Sequence, residues 1–141
     1  MKNKIQLIIP AAGPNLEFDK MGNHKLLLDV YNKKLIQWVQ LSRPYDLSQG
    51  LFIFNKFHEK KYNLVKNISI LLGKKIRFKL LDGYTEGAPQ TIMLIKDLIL
   101  KDEPIFIDLL DQYLDLKKFN NYCQKKDVDG CVPIFQSLYY N

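Results

Sequence analysis

Short apolar runs recur along the chain and alternate with segments of helical spacing. The runs predict buried or edge strands, and apolar positions three or four residues apart predict helices. Predicted strands are 5–10, 51–54, 76–80, 104–107 and 131–135, with a further candidate at 25–30. Predicted helices are 35–40, 58–72, 91–100 and 116–126. Arg43 before Pro44 ends the first helix, and Gly73 caps the second.

Strands and helices in alternation at this spacing predict an α/β fold. The expected architecture is a three-layer, Rossmann-like α/β/α sandwich, in which helices cover both faces of a mostly parallel sheet. We expect the alternating strand 76–80 at one edge and treat residues 1–141 as a single domain. In such sheets ligands bind beyond the carboxyl ends of the strands. The loops 11–24, 82–88 and 108–115 are therefore expected on one side.

Composition narrows the function classes. The chain is 47% apolar and 26% charged, which is typical of a folded globular protein. Its apolar runs are far shorter than the roughly 20 residues that a membrane span needs, and the N-terminus has no signal-peptide core. Cys123 and Cys131 fit neither a disulfide framework nor a zinc motif. We expect a reduced, cytoplasmic protein without a membrane partner.

The net charge of +6 raises the question of nucleic-acid binding. The lysines are spread over separate pairs rather than concentrated in one patch, and Arg43 and Arg77 are the only arginines. Because arginine is the usual base-reading side chain, the charge favours a solvated lysine-rich surface.

Several catalytic motifs are missing from the sequence. It has no G-x-x-x-x-G-K-[ST], G-x-G-x-x-G, G-x-S-x-G or H-E-x-x-H, which excludes a P-loop, a dinucleotide fingerprint and two hydrolase classes. His24 and His58 have no Cys or Ser partner at a recognisable spacing. We interpret them as surface or cap residues.

Two features near the first strand could contact a phosphorylated ligand. Ala11, Ala12 and Gly13 follow the strand, and such small residues let a flat ligand approach the backbone; the alternative is an ordinary tight turn. Lys25 could reach a phosphate as a mobile point charge, or it could be a plain surface lysine.

Two features later in the sequence could also contact a phosphorylated ligand. Thr85, Glu86, Gly87 and Ala88 lead into a helix with Pro89 at its start. A helix N-terminus favours anions, although an ordinary capped start is the alternative. Asp111 follows a buried strand, where a carboxylate could hold Mg²⁺ with substrate phosphates or simply end a turn. Asp108 and Asp115 are weaker candidates, and Asp115 could cap the next helix.

In this order the segments resemble the sugar-phosphate nucleotidylyltransferases, the nucleotide-diphospho-sugar pyrophosphorylases of the NTP-transferase family. The residues that carry the resemblance are Ile8-Ile9-Pro10-Ala11-Ala12-Gly13, Lys25-Leu26-Leu27-Leu28-Asp29-Val30, Asn32-Lys33-Lys34-Leu35-Ile36, Thr85-Glu86-Gly87-Ala88 and Asp111-Gln112-Tyr113. Each motif is short, but their order and spacing together are fairly specific.

The resemblance implies a function. A nucleoside triphosphate would lie on the 11–13 turn with its base near residues 85–88, Asp111 would hold Mg²⁺, and Lys25 would stabilise phosphate charge. A sugar phosphate would then attack the α-phosphorus and release pyrophosphate, as in the biosynthesis of nucleotide sugars. Lys25 and Asp111 are thus the expected catalytic residues, and charge neutralisation and positioning the expected sources of catalysis.

The sequence also departs from the family pattern. The second glycine of the phosphate loop is Asn15, its arginine is Glu17, and Leu109 and Leu110 replace polar residues before the metal-binding aspartate. The chain is also shorter than the family enzymes. These departures support an alternative, a non-catalytic α/β module retained for assembly or regulation, which would self-associate or pair with a longer relative.

Overall fold

The computed structural model describes residues 5–114, 116, 118–119, 121–122 and 130–133. The strands and α-helices, in chain order, are β1 (Gln6–Ala11), α1 (Leu16–Lys20), β2 (Asp29–Val30), β3 (Lys33–Lys34), α2 (Leu35–Ser42), β4 (Leu51–Asn55), α3 (Lys56–Tyr62), α4 (Leu64–Leu72), β5 (Arg77–Leu81), α5 (Ala88–Leu94) and β6 (Ile105–Ile107). Single 3₁₀ turns span Lys25–Leu27, Leu47–Gln49 and Lys96–Leu98.

Within the described residues, four parallel strands form the central sheet in the order β5-β4-β1-β6. The chain moves outward from β1 through β4 to β5 and then returns to place β6 on the other side of β1. The strand order therefore reverses at β1, and in sheets of this kind a crevice lies at the carboxyl ends of the strands where the order reverses. The short strands β2 and β3 pair separately as an antiparallel ribbon.

Side chains alternate along the strands and fill two cores. One face of β1 and β4 packs against α2 and α4, through Leu7, Ile9, Phe52, Phe54, Ile36, Val39, Leu64 and Ile68. The opposite face packs against α5 and the segment after it, through Ile8, Ala12, Ile53 and Ile95. Helices on both faces of a parallel sheet confirm the predicted α/β/α class.

The four predicted strands that form this sheet are found with boundaries shifted by at most one residue, and β5 lies at an edge as expected. The single helix predicted over 58–72 is wrong, because Asn63 adopts a left-handed conformation (φ 52°, ψ 46°) and divides it into α3 and α4. Asparagine tolerates this conformation better than most residues. The Glu59 carboxylate accepts a hydrogen bond from the Val65 N–H and caps the second helix.

Other predicted elements are only partly confirmed. The candidate strand over 25–30 is a 3₁₀ turn followed by β2, and the helix predicted over 91–100 ends as α5 at Leu94 and continues as a 3₁₀ turn. The 11–24 segment contains α1. The helix predicted over 116–126 lies largely outside the described residues, of which 118–119 and 121–122 are helical, and Cys123 and Asp115 also lie outside them. The strand predicted over 131–135 is not found in its described part, because residues 131–133 have no regular structure.

Within the described part of the chain, no helix is both long and apolar enough to span a membrane.

Candidate functional site

A cleft opens at the carboxyl ends of β1 and β6, where the sheet topology reverses. Its volume is about 180 Å³. The lining residues are Pro10, Ala11, Gly13, Pro14, Asn15, His24, Lys25, Gly87, Ala88, Thr91, Leu109 and Asp111. All three loops expected on this side contribute to the lining, together with Pro10, Lys25 and Thr91 next to them. A nucleotide-sized ligand would extend beyond the cleft, because sites that enclose such ligands typically exceed about 300 Å³.

Lys25 and Asp111 face each other across this cleft. The Lys25 Nζ lies 3.8 Å from Asp111 Oδ2, and the two side chains are 30% and 44% exposed. In the free protein this separation gives a loose, solvent-screened ion pair that contributes little to stability. Breaking this ion pair therefore costs little free energy when Lys25 or Asp111 binds a ligand instead.

Asn15 holds Lys25 in place. Its buried side chain accepts a hydrogen bond from the Lys25 backbone N–H (3.1 Å) and donates one to the Asn23 carbonyl (2.8 Å). The Asn15 side-chain amide thus links the beginning of the 15–25 loop to its end. Asn15 stands where the resembled family has glycine, so its role in the loop was not expected from the sequence.

The turn after β1 is fixed by the Ala12 carbonyl, which accepts two hydrogen bonds. The fully buried Asn55 donates from Nδ2 (3.0 Å), and the Thr85 N–H donates at 3.3 Å. Ala12 itself is fully buried in the core. The first and third residues of this small-residue turn face the cleft, and the second anchors it to β4 and the 82–88 loop.

His24, in the 15–25 loop, and His58, in α3, lie side by side. Their ring centroids are 5.1 Å apart, and both side chains are buried, so the expectation of surface residues is wrong. His24 is nevertheless a cap, since its Nδ1 accepts the Leu26 N–H. Burial first, and the neighbouring imidazole and Lys25 next, lower the pKa of His24 to about 3. Burial also lowers the pKa of His58 against the raising effect of Asp19.

Asp19 connects the 15–25 loop to α3. Its carboxylate accepts hydrogen bonds from the Tyr62 hydroxyl and from Lys61 Nζ (3.0 Å), and it lies 3.6 Å from His58 Nε2. The hydrogen bond from Tyr62 contributes most to lowering the pKa of this carboxyl. The buried His58 Nε2 has no hydrogen-bond partner.

The segment after β6 is organised around a buried ion pair that the sequence analysis did not find. Arg43 Nε and Nη2 donate to the two oxygens of Asp108 at 2.6 and 3.0 Å, and the Tyr45 hydroxyl donates to Asp108 at 2.7 Å. Burial opposes the charge on Asp108, but the bonds from Arg43 and Tyr45 outweigh it and lower the pKa of this carboxyl. Asp108 was a weak metal candidate; its oxygens are instead engaged by the protein.

The nine predicted contacts with nucleotide and metal fall into three groups. Six line the cleft: Ala11, Gly13, Lys25, Gly87, Ala88 and Asp111. Two belong to its framework, since Ala12 and Thr85 are buried and the Thr85 hydroxyl is hydrogen-bonded to that of Thr91 (2.7 Å). Glu86 is exposed, and its N–H binds Gln90. Glu17 is exposed on α1 and is not among the lining residues.

The donor set of the cleft restricts the metal that could bind there. Among the described residues no group of three or more His, Cys, Asp or Glu side chains could hold an ion alone. Asp111 offers one partly exposed carboxylate. Mg²⁺ is commonly held by one or two carboxylates together with substrate phosphates, so the residues present fit Mg²⁺ carried by a phosphorylated ligand.

Comparison with known proteins supports the fold. A nucleoside-diphosphate-sugar pyrophosphorylase from Vibrio cholerae RC9 superposes with a TM-score of 0.54 at 19% sequence identity, over 78% of this chain. The match covers 49% of that protein, so this chain spans about half its length. No protein-family model matches the sequence, and no curated protein matches it significantly. The shared feature is the α/β architecture with its parallel sheet.

Proposed function

We propose that the cleft binds a nucleoside triphosphate together with Mg²⁺ and that the chain belongs to a nucleotidyl-transfer system acting on a sugar phosphate. The observation that carries the proposal is the Lys25–Asp111 pair, because it places one cation and one carboxylate 3.8 Å apart at the topological switch point. The fold shared with a nucleoside-diphosphate-sugar pyrophosphorylase supports the same class of ligand.

The two charged groups suit different parts of such a ligand. The Lys25 ammonium is a strongly hydrated point charge that can follow phosphate oxygens as charge shifts among them. Asp111 would hold Mg²⁺ through one carboxylate, and the ion would supply further neutralisation of the phosphates when bound. A triphosphate with Mg²⁺ would thus separate the Lys25–Asp111 pair and give each partner a new counter-charge.

In the proposed reaction a phosphate oxygen of the sugar phosphate attacks the α-phosphorus of the triphosphate. A new P–O bond forms, the bond between the α-phosphorus and the bridging oxygen of the β-phosphate breaks, and pyrophosphate leaves. The Lys25 ammonium would stabilise the charge that develops on the phosphates. Preorganised charge in a fixed cleft is the main source of catalysis in this kind of transfer.

Pyrophosphate release tests this activity. The chain is incubated with Mg²⁺, each common nucleoside triphosphate and a panel of hexose 1-phosphates, and pyrophosphate is measured with a coupled enzyme. We expect release that needs one nucleotide, one sugar phosphate and Mg²⁺, and that falls at least a hundredfold in Lys25→Met. Release that is absent from every combination excludes the catalytic proposal but leaves nucleotide binding to be measured directly.

A second candidate function is that of a non-catalytic assembly module, favoured by an exposed apolar surface. A groove of about 280 Å³ runs between α5, the following 3₁₀ turn and β6. Large exposed side chains at or near it are Met93, Leu100, Ile105 and Ile107. Apolar patches of this kind mark interaction sites. Sedimentation equilibrium together with the pyrophosphate assay distinguishes the two candidate functions. An assembly module should self-associate and release no pyrophosphate. A monomer that releases pyrophosphate excludes the assembly module.

A further inference from the structure

We propose that Arg43 is a positioning residue that fixes the 108–114 turn and thereby presents Asp111 to the cleft. Its catalytic consequence rests on the proposed function, but its structural part does not. Arg43 lies at the end of α2, on the face of the sheet opposite α5, and its side chain is only 2% exposed. It cannot touch a ligand in the cleft directly.

The guanidinium holds the turn at three separate points. Two nitrogens form the bidentate pair with Asp108, at the beginning of the turn. Nη2 also donates to the Gln112 carbonyl at 3.1 Å, and Nη1 donates to the Leu114 carbonyl at 3.2 Å. Asp111 lies between these points. A planar fork with five N–H donors suits such an arrangement, and an ammonium group cannot reproduce it.

The turn also contains one residue, Leu110, in a strained backbone conformation. Leu110, directly before Asp111, has a φ of 57°, in the left-handed region that non-glycine residues rarely adopt. Its side chain is buried in the core between the sheet and helices α2 and α4, and its N–H donates to Asp108 Oδ1 at 3.1 Å. Asp108 thus joins Arg43 to the strained residue. Strain of this kind persists only when the surroundings over-determine it.

Arg43→Lys and Arg43→Met test the inference, with Arg77→Met as the matched control, because Arg77 is exposed at the edge strand β5 and donates to the Gln49 carbonyl. Amide hydrogen exchange is followed by NMR in residues 109–113 and, as an internal reference, in β4. Nucleotide binding is measured at increasing Mg²⁺ concentrations, at a temperature where every variant is folded.

We expect exchange in 109–113 to accelerate at least tenfold in both Arg43 variants, with β4 unchanged, and the Mg²⁺ concentration for half-maximal nucleotide binding to rise at least tenfold. Arg77→Met should change neither quantity. Uniform acceleration that includes β4, or an unchanged Mg²⁺ requirement, would assign Arg43 a general structural role and overturn the inference. Should the wild type bind no nucleotide, the proposed function fails, and the exchange pattern alone decides whether Arg43 fixes the turn.

Discussion

The Lys25 ammonium lies 3.8 Å from the Asp111 carboxylate, although the two residues are far apart in the sequence. They meet because β6, the last strand that the structure describes, returns to pair with β1. Each residue is held by a buried polar group, Lys25 by Asn15 and the Asp111 turn by Arg43. Hydrogen bonds from buried side chains thus support both sides of the loose pair, as the proposed binding of a charged ligand would require.

Replacement of Asn55 should destabilise the protein strongly, because this fully buried amide links the Ala12 carbonyl to α3 through the N–H of His58. We expect Asn55→Ala to lower the free energy of unfolding by about 2–4 kcal/mol, as its partners are left unsatisfied. Asn55→Asp should cost more, because a carboxylate oxygen would face the Ala12 carbonyl.

Urea unfolding measures both Asn55 variants, and Asn67→Ala is the control. Asn67 is half-buried and donates one bond, to the Tyr62 carbonyl, so its loss should cost about 1 kcal/mol. Equal effects at the two positions would show that Asn55 does not anchor the turn.

The left-handed conformation of Leu110 predicts an unusual order of stabilities. Leu110→Ala and Leu110→Gly both remove the buried side chain, but glycine adopts a φ of 57° without strain. The glycine variant should therefore be the more stable by about 1 kcal/mol. Thermal or chemical unfolding of the two variants checks this, and a more stable alanine variant would mean that the turn relaxes out of the left-handed region.

Stability should fall as the pH is lowered below about 6.5, the ordinary pKa of histidine. His24 is neutral in the folded protein down to a pKa of about 3, so between these values the unfolded chain binds a proton that the folded chain does not. Each such histidine reduces the free energy of unfolding by about 1.4 kcal/mol per pH unit. Asp19, Lys25 and Lys61 face the pair. The lowered pKa of Asp19 adds its own loss of stability only below about pH 5, where the carboxyl of the unfolded chain begins to take up a proton.

His24→Asn keeps a capping acceptor for Leu26 and removes the titrating ring. Urea unfolding between pH 7.5 and 4.5 should therefore show a shallower loss of stability in this variant than in the wild type. Parallel pH curves for the two proteins would refute the assignment to His24.

Glu17→Arg should strengthen nucleotide binding. Glu17 is exposed on α1, outside the lining of the cleft, at the place where the resembled family has an arginine. The change replaces a charge that repels phosphate with one that attracts it. At a protein-surface dielectric we expect a gain of about tenfold in affinity, falling with salt. Asp102→Arg makes the same change of charge beside the amino end of β6. If it strengthens binding equally, the effect comes from net charge and not from the loop.

Much of the fold was predictable because its signals are local. Apolar runs marked β1, β4 and β6, and Gly73 ended α4 as expected, with a φ of 68°. The break at Asn63 was missed, since the apolar spacing continues through it. Its signal was an asparagine between Tyr62 and Leu64, a residue that tolerates the left-handed conformation.

The candidate site was predictable only in part. The lining residues are close to their strands in sequence, so the loops could be assigned to one side from the topology alone. The supporting groups come from elsewhere: Asn55 is the last residue of β4, and Arg43 directly follows α2. Such partners depend on packing in three dimensions. The Arg43-Pro44 pair indicated only the end of a helix, and nothing local indicated that Arg43 would meet Asp108.

The most direct test of the account is the affinity of Asp111→Asn for a nucleoside triphosphate, measured by calorimetry with and without Mg²⁺. If Asp111 holds Mg²⁺ beside the phosphates, the variant should bind about tenfold more weakly than wild type with Mg²⁺, and no more weakly, or more tightly, in excess EDTA, where the carboxylate only repels phosphate. Asp46→Asn, which breaks a pair with Lys74 at the amino ends of the strands, should change neither affinity. Equal binding by wild type and Asp111→Asn under both conditions, or no binding by wild type, would contradict the account.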